Sequence, residues 1–191
     1  MTINEIIKNR RTIRKFKQTP LSIEQIESYI DAARVAPSAA NLQPLKYVAV
    51  CRKEMVDKIF PLLKWAGYLA PAYNPEEGER PVAYVIVCAD THIRKEGFGE
   101  DVGAAVENMI LSALCDGVGS CWLGSIDRMA LKELLQLPDN LIISSVIALG
   151  YPAESPKAAQ VQDESIKYYL EDGTLNVPKR SLEDVIFKSL P

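Results

Sequence analysis

Along residues 22–35, Ile23, Ile26, Ile30 and Ala33 return at the three- and four-residue spacing of a helix, while Glu24, Glu27 and Asp31 take the opposite positions. Ser22 precedes that run and Gln25 follows three residues later, the signature of a capping box, and Pro37 closes the pattern. A longer apolar stripe of Val102, Ala105, Val106, Met109, Ile110, Ala113 and Leu114 predicts a core helix over 100–115, stopped by Asp116-Gly117. Apolar runs at 47–51, 82–89, 119–123 and 141–149 read as strands. Shorter helical patterns fall at 53–60 and at 128–136, the second with Asp127 as its N-cap.

The remaining segments lack a clear period. Residues 61–80 hold Pro61, Pro71 and Pro75 among Trp65, Tyr68 and Tyr73, which predicts an irregular flap or a broken helix able to cover a pocket. The charged 76–80 stretch reads as a solvated turn. Residues 157–179 are polar and are expected to run over the surface or to wrap a partner subunit, before an apolar stretch at 185–190. The alternation of helices and strands predicts one α+β domain over 1–191 with a central sheet, and 191 residues suffice for one core.

Composition narrows the function classes. A hydrophobic fraction of 48% is ordinary for a folded domain, and a net charge of -3 argues against a nucleic-acid partner, which would call for a broad basic field. The basic residues are nevertheless uneven: Lys8, Arg10, Arg11, Arg14, Lys15 and Lys17 fall in ten residues that contain no acid. No secretion-signal series is apparent and no apolar run approaches the roughly 20 residues of a membrane span. The expectation is a cytoplasmic protein without a membrane partner, with Cys51, Cys88, Cys115 and Cys121 as buried, reduced thiols.

Familiar catalytic patterns are mostly missing. Gly97, Gly99 and Gly103 have the wrong spacing for a dinucleotide fingerprint, and there is no phosphate loop of the Walker type. His92 is the single histidine and reads as a surface residue, so neither a zinc site nor a triad with Ser38 or Ser125 is expected. Asp101 and Glu107 lie six apart on one helix and share a face poorly. Three other pieces carry more. Arg10, Thr12 and Arg14 alternate along an extended tract and suit either a phosphate or a solvated surface. Asn41 and Gln43 stand on a loop between Pro37 and Pro44, fit either to read a heterocycle edge or to cap neighbouring backbone. The glycines of 118–125 allow close backbone approach, and Trp122 reads as core.

Together these segments resemble the FMN-dependent nitroreductase family. Arg10-Arg11-Thr12-Ile13-Arg14-Lys15-Phe16 is similar to the family's Arg-Arg-Ser-x-Arg-x-Phe motif, with Thr12 in place of the serine. Ala33-Arg34-Val35-Ala36-Pro37-Ser38-Ala39-Ala40-Asn41-Leu42-Gln43-Pro44 resembles its Ala-Arg-x-Ala-Pro-Ser-x-x-Asn-x-Gln-Pro segment. The stretches 117–124 and 178–183 are similar to later family segments, so the likeness covers nearly the whole chain.

The resemblance implies a three-layer α/β/α sandwich with a central mixed, mainly antiparallel sheet and a C-terminal extension exchanged in a homodimer. It implies that Arg10, Arg11, Thr12 and Arg14 hold the FMN phosphate, ribityl chain and pyrimidine edge, with Lys179 and Arg180 adding phosphate contacts. Pro37, Ser38, Ala39 and Asn41, on the loop that also carries Gln43, would come from the second subunit to border the ring. Leu123, Gly124 and Ser125 would lie beside it, one backbone group donating to flavin N5. An acidic residue found near Gly124 in some larger relatives has no counterpart here.

The implied activity is ping-pong hydride transfer from NADH or NADPH, through the flavin, to a nitroaromatic, quinone or related small-molecule electron acceptor. It needs no catalytic side chain and no metal. Alternatives are a flavin reductase or reductive dehalogenase of the same family, or a flavin-binding module without turnover.

Overall fold

The computed structural model describes residues 2–190. Four strands form the central sheet: β1 (Leu45–Val50), β2 (Ala83–Asp90), β3 (Gly119–Leu123) and β4 (Leu141–Gly150). Their order is β1-β2-β4-β3, and every ladder is antiparallel. A parallel bridge between Thr12 and Ser120 adds the N-terminal tract and makes the sheet mixed. β2 and β4 are central and covered on both faces. That explains why 82–89 and 141–149 read as nearly continuous apolar runs instead of alternating ones.

One face of the sheet packs on α2 (Ile23–Arg34) and α4 (Gly99–Cys115). There Ile26, Tyr29, Val106 and Met109 close over Val85, Val87 and Ile147. The Ser22–Gln25 capping box forms as the sequence predicts. The other face carries α3 (Lys53–Ile59), α5 (Arg128–Leu134) and the irregular 60–80 segment, with Ile59, Leu63, Trp65 and Tyr73 against Tyr84, Ile86 and Val146. Asp127 caps α5 through the Ala130 N–H, 3.1 Å away. The result is a helix–sheet–helix sandwich whose strands are held from both sides.

The structure departs from the sequence reading at the ends of the chain. A short helix, α1 (Ile3–Asn9), opens it, with a Thr2–Glu5 capping box; one buried residue, Ile6, leaves little apolar period to read. The polar 157–179 stretch does not merely trail over the surface. It forms β5 (Lys157–Gln160), β6 (Tyr169–Glu171) and β7 (Thr174–Lys179), in the order β5-β7-β6, with β5 and β7 parallel. Leu175 is buried in the core of the same chain and Val177 packs against it, while β5 and β6 are largely exposed and so lack the usual apolar signal. Beyond them α6 (Leu182–Val185) is a single turn, and Leu182, Val185, Phe187 and Leu190 face outward. Of the cysteines, Cys88 and Cys121 are buried, and burial pushes their thiols up to about 11 and about 12. Cys51 is half-buried and Cys115 exposed, contrary to expectation, because Cys115 closes the last turn of α4. Among the described residues no helix is long and apolar enough to cross a membrane.

Candidate cofactor site

The basic tract crosses one end of the sheet in extended form. The Ile13 N–H donates to the Ser120 carbonyl at 2.8 Å, Ala153 N–H to Lys15 O at 2.9 Å and Phe16 N–H to Glu79 O at 2.9 Å. Ile13 and Phe16 are buried, anchoring the tract and leaving the polar residues around them free for other contacts. This seating depends on two glycines. A Cβ on Gly119 would come within 2.6 Å of Ile13 Cγ1, and one on Gly150 within 2.9 Å of Phe16 Cδ1. The glycines of 118–125 do permit close approach, but at Gly119 the neighbour is the tract itself. Gly124 differs: nothing stands within 4 Å of where its Cβ would be.

Because the tract passes from one helical layer toward the other, its cations diverge. Arg10 lies on the α4 side, 3.6 Å from Glu107. Arg14 lies over the Tyr168 ring, 4.8 Å from its centroid, and Tyr168 in turn packs on Tyr68 of the 60–80 segment. Lys15 pairs with Glu79 at 2.9 Å. Arg10 and Arg11 line one cavity of about 200 Å³ with Ser120, Pro152 and Glu154. In it Arg11 donates to the Lys8 carbonyl at 2.9 Å, yet its buried Nε has no partner. Burial, reinforced by the neighbouring Arg10 charge, holds the Arg11 pKa below its usual value. An anion placed there would relieve both penalties, so these residues fit a phosphate-bearing group.

β3 carries the tract's neighbour Ser120 on to Leu123, Gly124 and Ser125. The turn after it is fixed from two sides. Lys64 N–H donates to Ser125 O at 3.0 Å, and Arg128 donates to the carbonyls of Gly124, Ile143 and Ser144. Leu123 is buried, whereas Gly124 and Ser125 are exposed. Trp122, read as core, is 43% exposed, on a strand at the end of the β1-β2-β4-β3 order where cover is thinner than over β2 and β4. Lys179 ends β7, Arg180 follows it, and both are exposed. Among the described residues no hydrogen bond or ion pair links them to Arg10, Thr12 or Arg14, although Thr174 and Leu175 of the same strand border a cavity of about 310 Å³ with Lys15, Tyr73 and Glu154.

The 36–44 loop stands elsewhere. Ser120, beside Thr12, is level with Leu149 and Ala83 at one end of β2; Leu45, just after the loop, is level with Ala89 at the other. Six residues of strand, about 20 Å, separate the two levels. The loop lines a cavity of its own, about 70 Å³, with Pro37, Ser38, Gln43, Tyr47 and Asp101 in its wall. The loop backbone is strained, with positive φ of 50°, 56° and 51° at Ala40, Asn41 and Gln43. Ser38 Oγ accepts from Gln43 N–H at 2.9 Å, and Asp101 Oδ1 accepts from Ala39 N–H at 2.9 Å. Asp101 also pairs with Arg94 at 2.7 Å. Burial raises the Asp101 pKa, but the Ser38 hydroxyl, the Ala39 N–H and the Arg94 charge outweigh it and hold it below the usual carboxylate range.

Asp101 and Glu107 are thus no catalytic pair. One carboxylate on α4 holds the loop, and the other meets the tract. Glu154, Tyr73, Tyr168 and Arg128 escaped sequence reasoning because their value lies in contacts across distant segments. His92 is exposed on the turn after β2, as expected. A larger cavity of about 450 Å³, lined by Gln18, Lys53, Asp57 and Arg80 among others, contains none of the candidate residues.

A helix–sheet–helix sandwich with an arginine tract across one strand end defines a class that the comparisons with known proteins identify. Residues 7–151 match the model of the nitroreductase family, and the chain belongs to that family. It is 36% identical over 166 residues to a provisionally named NADH dehydrogenase/NAD(P)H nitroreductase of Archaeoglobus fulgidus, covering 83% of this chain and 90% of that one. It is 27% identical to the FMN reductase [NAD(P)H] of Bacillus subtilis, over 87% of this chain and 74% of the other. Among solved structures, a provisionally named NADH oxidase of Clostridium acetobutylicum superposes with a TM-score of 0.67 at 33% identity, covering 78% of this chain and 89% of that one.

Proposed function

We propose that the protein is an FMN-dependent NAD(P)H oxidoreductase that reduces a nitroaromatic, quinone or related small-molecule acceptor. The observation that carries this reading is the tract end of the sheet, where Arg10 and Arg11 border a cavity and the buried Arg11 Nε lacks a partner. Family membership and the names of the Archaeoglobus and Bacillus relatives point the same way.

Arg10, Arg11, Thr12 and Arg14 would hold the phosphate and sugar-alcohol end by charge-assisted hydrogen bonds, whose planar donors match phosphate oxygens. The open space at Gly124 and the exposure of Ser125 leave room for a flat ring beside β3. FMN bound there would supply hydride transfer at its N5 atom, which side chains cannot provide. The chain's own contribution is position and charge: tract cations stabilise negative charge that accumulates nearby.

Pro37, Ser38, Ala39, Asn41 and Gln43 would complete the site from a second copy. The separation of about 20 Å along the strands supports this, because one chain keeps its loop away from its own tract. Exposed Leu182, Val185 and Phe187 support a C-terminal tail that extends from β7 onto the partner in that homodimer. Lys179 and Arg180 would then add phosphate contacts.

Titration of flavin-free protein with FMN, followed by anaerobic addition of NADH or NADPH and then of acceptor, tests the proposal. FMN binding with bleaching by the nicotinamide and recovery with the acceptor is expected. Failure to bind FMN contradicts the reading; binding without bleaching leaves a module without turnover.

A further inference from the structure

Glu154 lies just beyond β4, outside every motif that suggested function, yet three donors from two segments converge on its carboxylate. Oε1 accepts the main-chain N–H of Arg14 in a short hydrogen bond and that of Lys15 at 3.1 Å. Oε2 accepts the Tyr73 hydroxyl, also in a short bond. The first two donors belong to the basic tract and the third to the irregular 60–80 segment. Glu154 also lines both cavities that flank the tract.

The arrangement is unusual in its charge logic. A carboxylate at the wall of an anion cavity should repel the anion. Here both oxygens are occupied by donors, and a main-chain N–H pair is what an otherwise unladdered extended segment leaves unsatisfied. The tract receives ordinary backbone bonds at Ile13 and Phe16; between those two, Glu154 stands in for the missing strand.

The geometry points to Glu154 as a positioning residue: its carboxylate fixes the Arg14–Lys15 backbone so that the tract is set for FMN, and it ties Tyr73 of the covering segment to that tract. The inference rests on the flavin reading above. Its claim concerns hydrogen-bond acceptance and not negative charge. Glutamine retains an acceptor oxygen for the two N–H groups and offers an amide to the Tyr73 oxygen, while removing the charge. Alanine retains none of these.

The test compares the purified full chain with Glu154→Ala, Glu154→Gln and Glu154→Asp by amide hydrogen exchange in flavin-free protein and by FMN titration. In Glu154→Ala, exchange at Arg14 and Lys15 should quicken and the FMN Kd should rise, each by about tenfold or more, since two N–H groups lose their partner. In Glu154→Gln both should stay within about threefold of the parent. Should the alanine chain fail to fold, the aspartate variant, one methylene shorter, serves in its place with the same two readouts. Unchanged exchange at Arg14 and Lys15 would overturn the inference whatever the flavin does. So would faster exchange with unaltered FMN affinity, or a glutamine variant as weak as alanine. A parent chain that binds no FMN would defeat the flavin reading and the positioning role together, whereas faster exchange and weaker FMN binding in Glu154→Ala, with Glu154→Gln near the parent, uphold both.

Discussion

At one end of the sheet, residues 10–16 lie extended over Gly119 and Gly150, with Glu154 accepting two of their N–H groups. At the other, residues 36–44 turn through left-handed backbone, with Asp101 accepting the Ala39 N–H. Both are irregular segments pinned by a carboxylate from a distant element. They differ in what they present. The tract end sets Arg10 and Arg11 on one cavity, Lys15 on another and Arg14 over Tyr168, whereas the loop end offers Ser38, Asn41 and Gln43, which are uncharged donors and acceptors. The first suits a phosphate, the second the edge of a neutral ring, and α4 is the rigid bar that joins them, with Glu107 toward one and Asp101 toward the other. Under the function proposed above, a mononucleotide that needs both kinds of contact would be served by the tract of one chain and the loop of another.

The contrast predicts unequal responses to substitution. Removing the two outer tract arginines together, Arg10→Ala with Arg14→Ala, should weaken FMN binding by about 100-fold or more, at about 1.5–3 kcal/mol for each charge-assisted contact. The folded state should change little, because the pairs they leave are half-exposed. Fluorescence titration beside a thermal melt checks this, and equal damage to stability and binding would erase the distinction between the two ends.

At the loop end stability should suffer first. Asp101→Ala strands the Ala39 N–H and the Arg94 charge, and should cost about 2–4 kcal/mol, read by urea unfolding. A smaller effect separates the glycines. Gly119→Ala forces Ile13 aside and should cost about 1–2 kcal/mol. Gly124→Ala, with open space around it, should stay within about 0.5 kcal/mol while still hindering a ring that lies beside β3. Comparable losses at both positions would contradict the seating described for the tract.

The least of these effects is the pH response. The Asp101 pKa is depressed in the folded chain, so its contribution is fully present above the unfolded value, about 3.9, and fades as pH falls through the lower folded value. Parent and Asp101→Asn chains should therefore differ in stability at pH 5–7 and converge below about pH 4. A gap that persists into stronger acid would assign the anchor to packing instead of charge.

Much of this was legible from residue order. The helices at 23–34 and 99–115 and the four central strands emerge from period and burial, because two-sided cover makes β2 and β4 continuously apolar. The tract and loop motifs were equally visible as sequence. Their separation was not, since it follows from the strand order β1-β2-β4-β3 and from which end of each strand a segment meets. The C-terminal sheet was missed because its strands are short and mostly exposed, and Pro178 sits within β7. The anchoring roles of Glu154 and Asp101 escaped for a different reason: each acts by accepting main-chain N–H groups from afar, which no local pattern records.

Mixed dimers test the central claim most directly. One chain carries Arg10→Ala and Arg14→Ala with an intact loop; the other carries Asn41→Ala and a bulky Ala39→Trp with an intact tract. Each alone should bind FMN poorly. After the two are unfolded, mixed in equal amounts and refolded, random pairing should restore tight FMN binding at about a quarter of all sites, because one site of each mixed dimer unites an intact tract with an intact loop. No restoration, with mixed dimers verified by mass, would contradict a site divided between two chains.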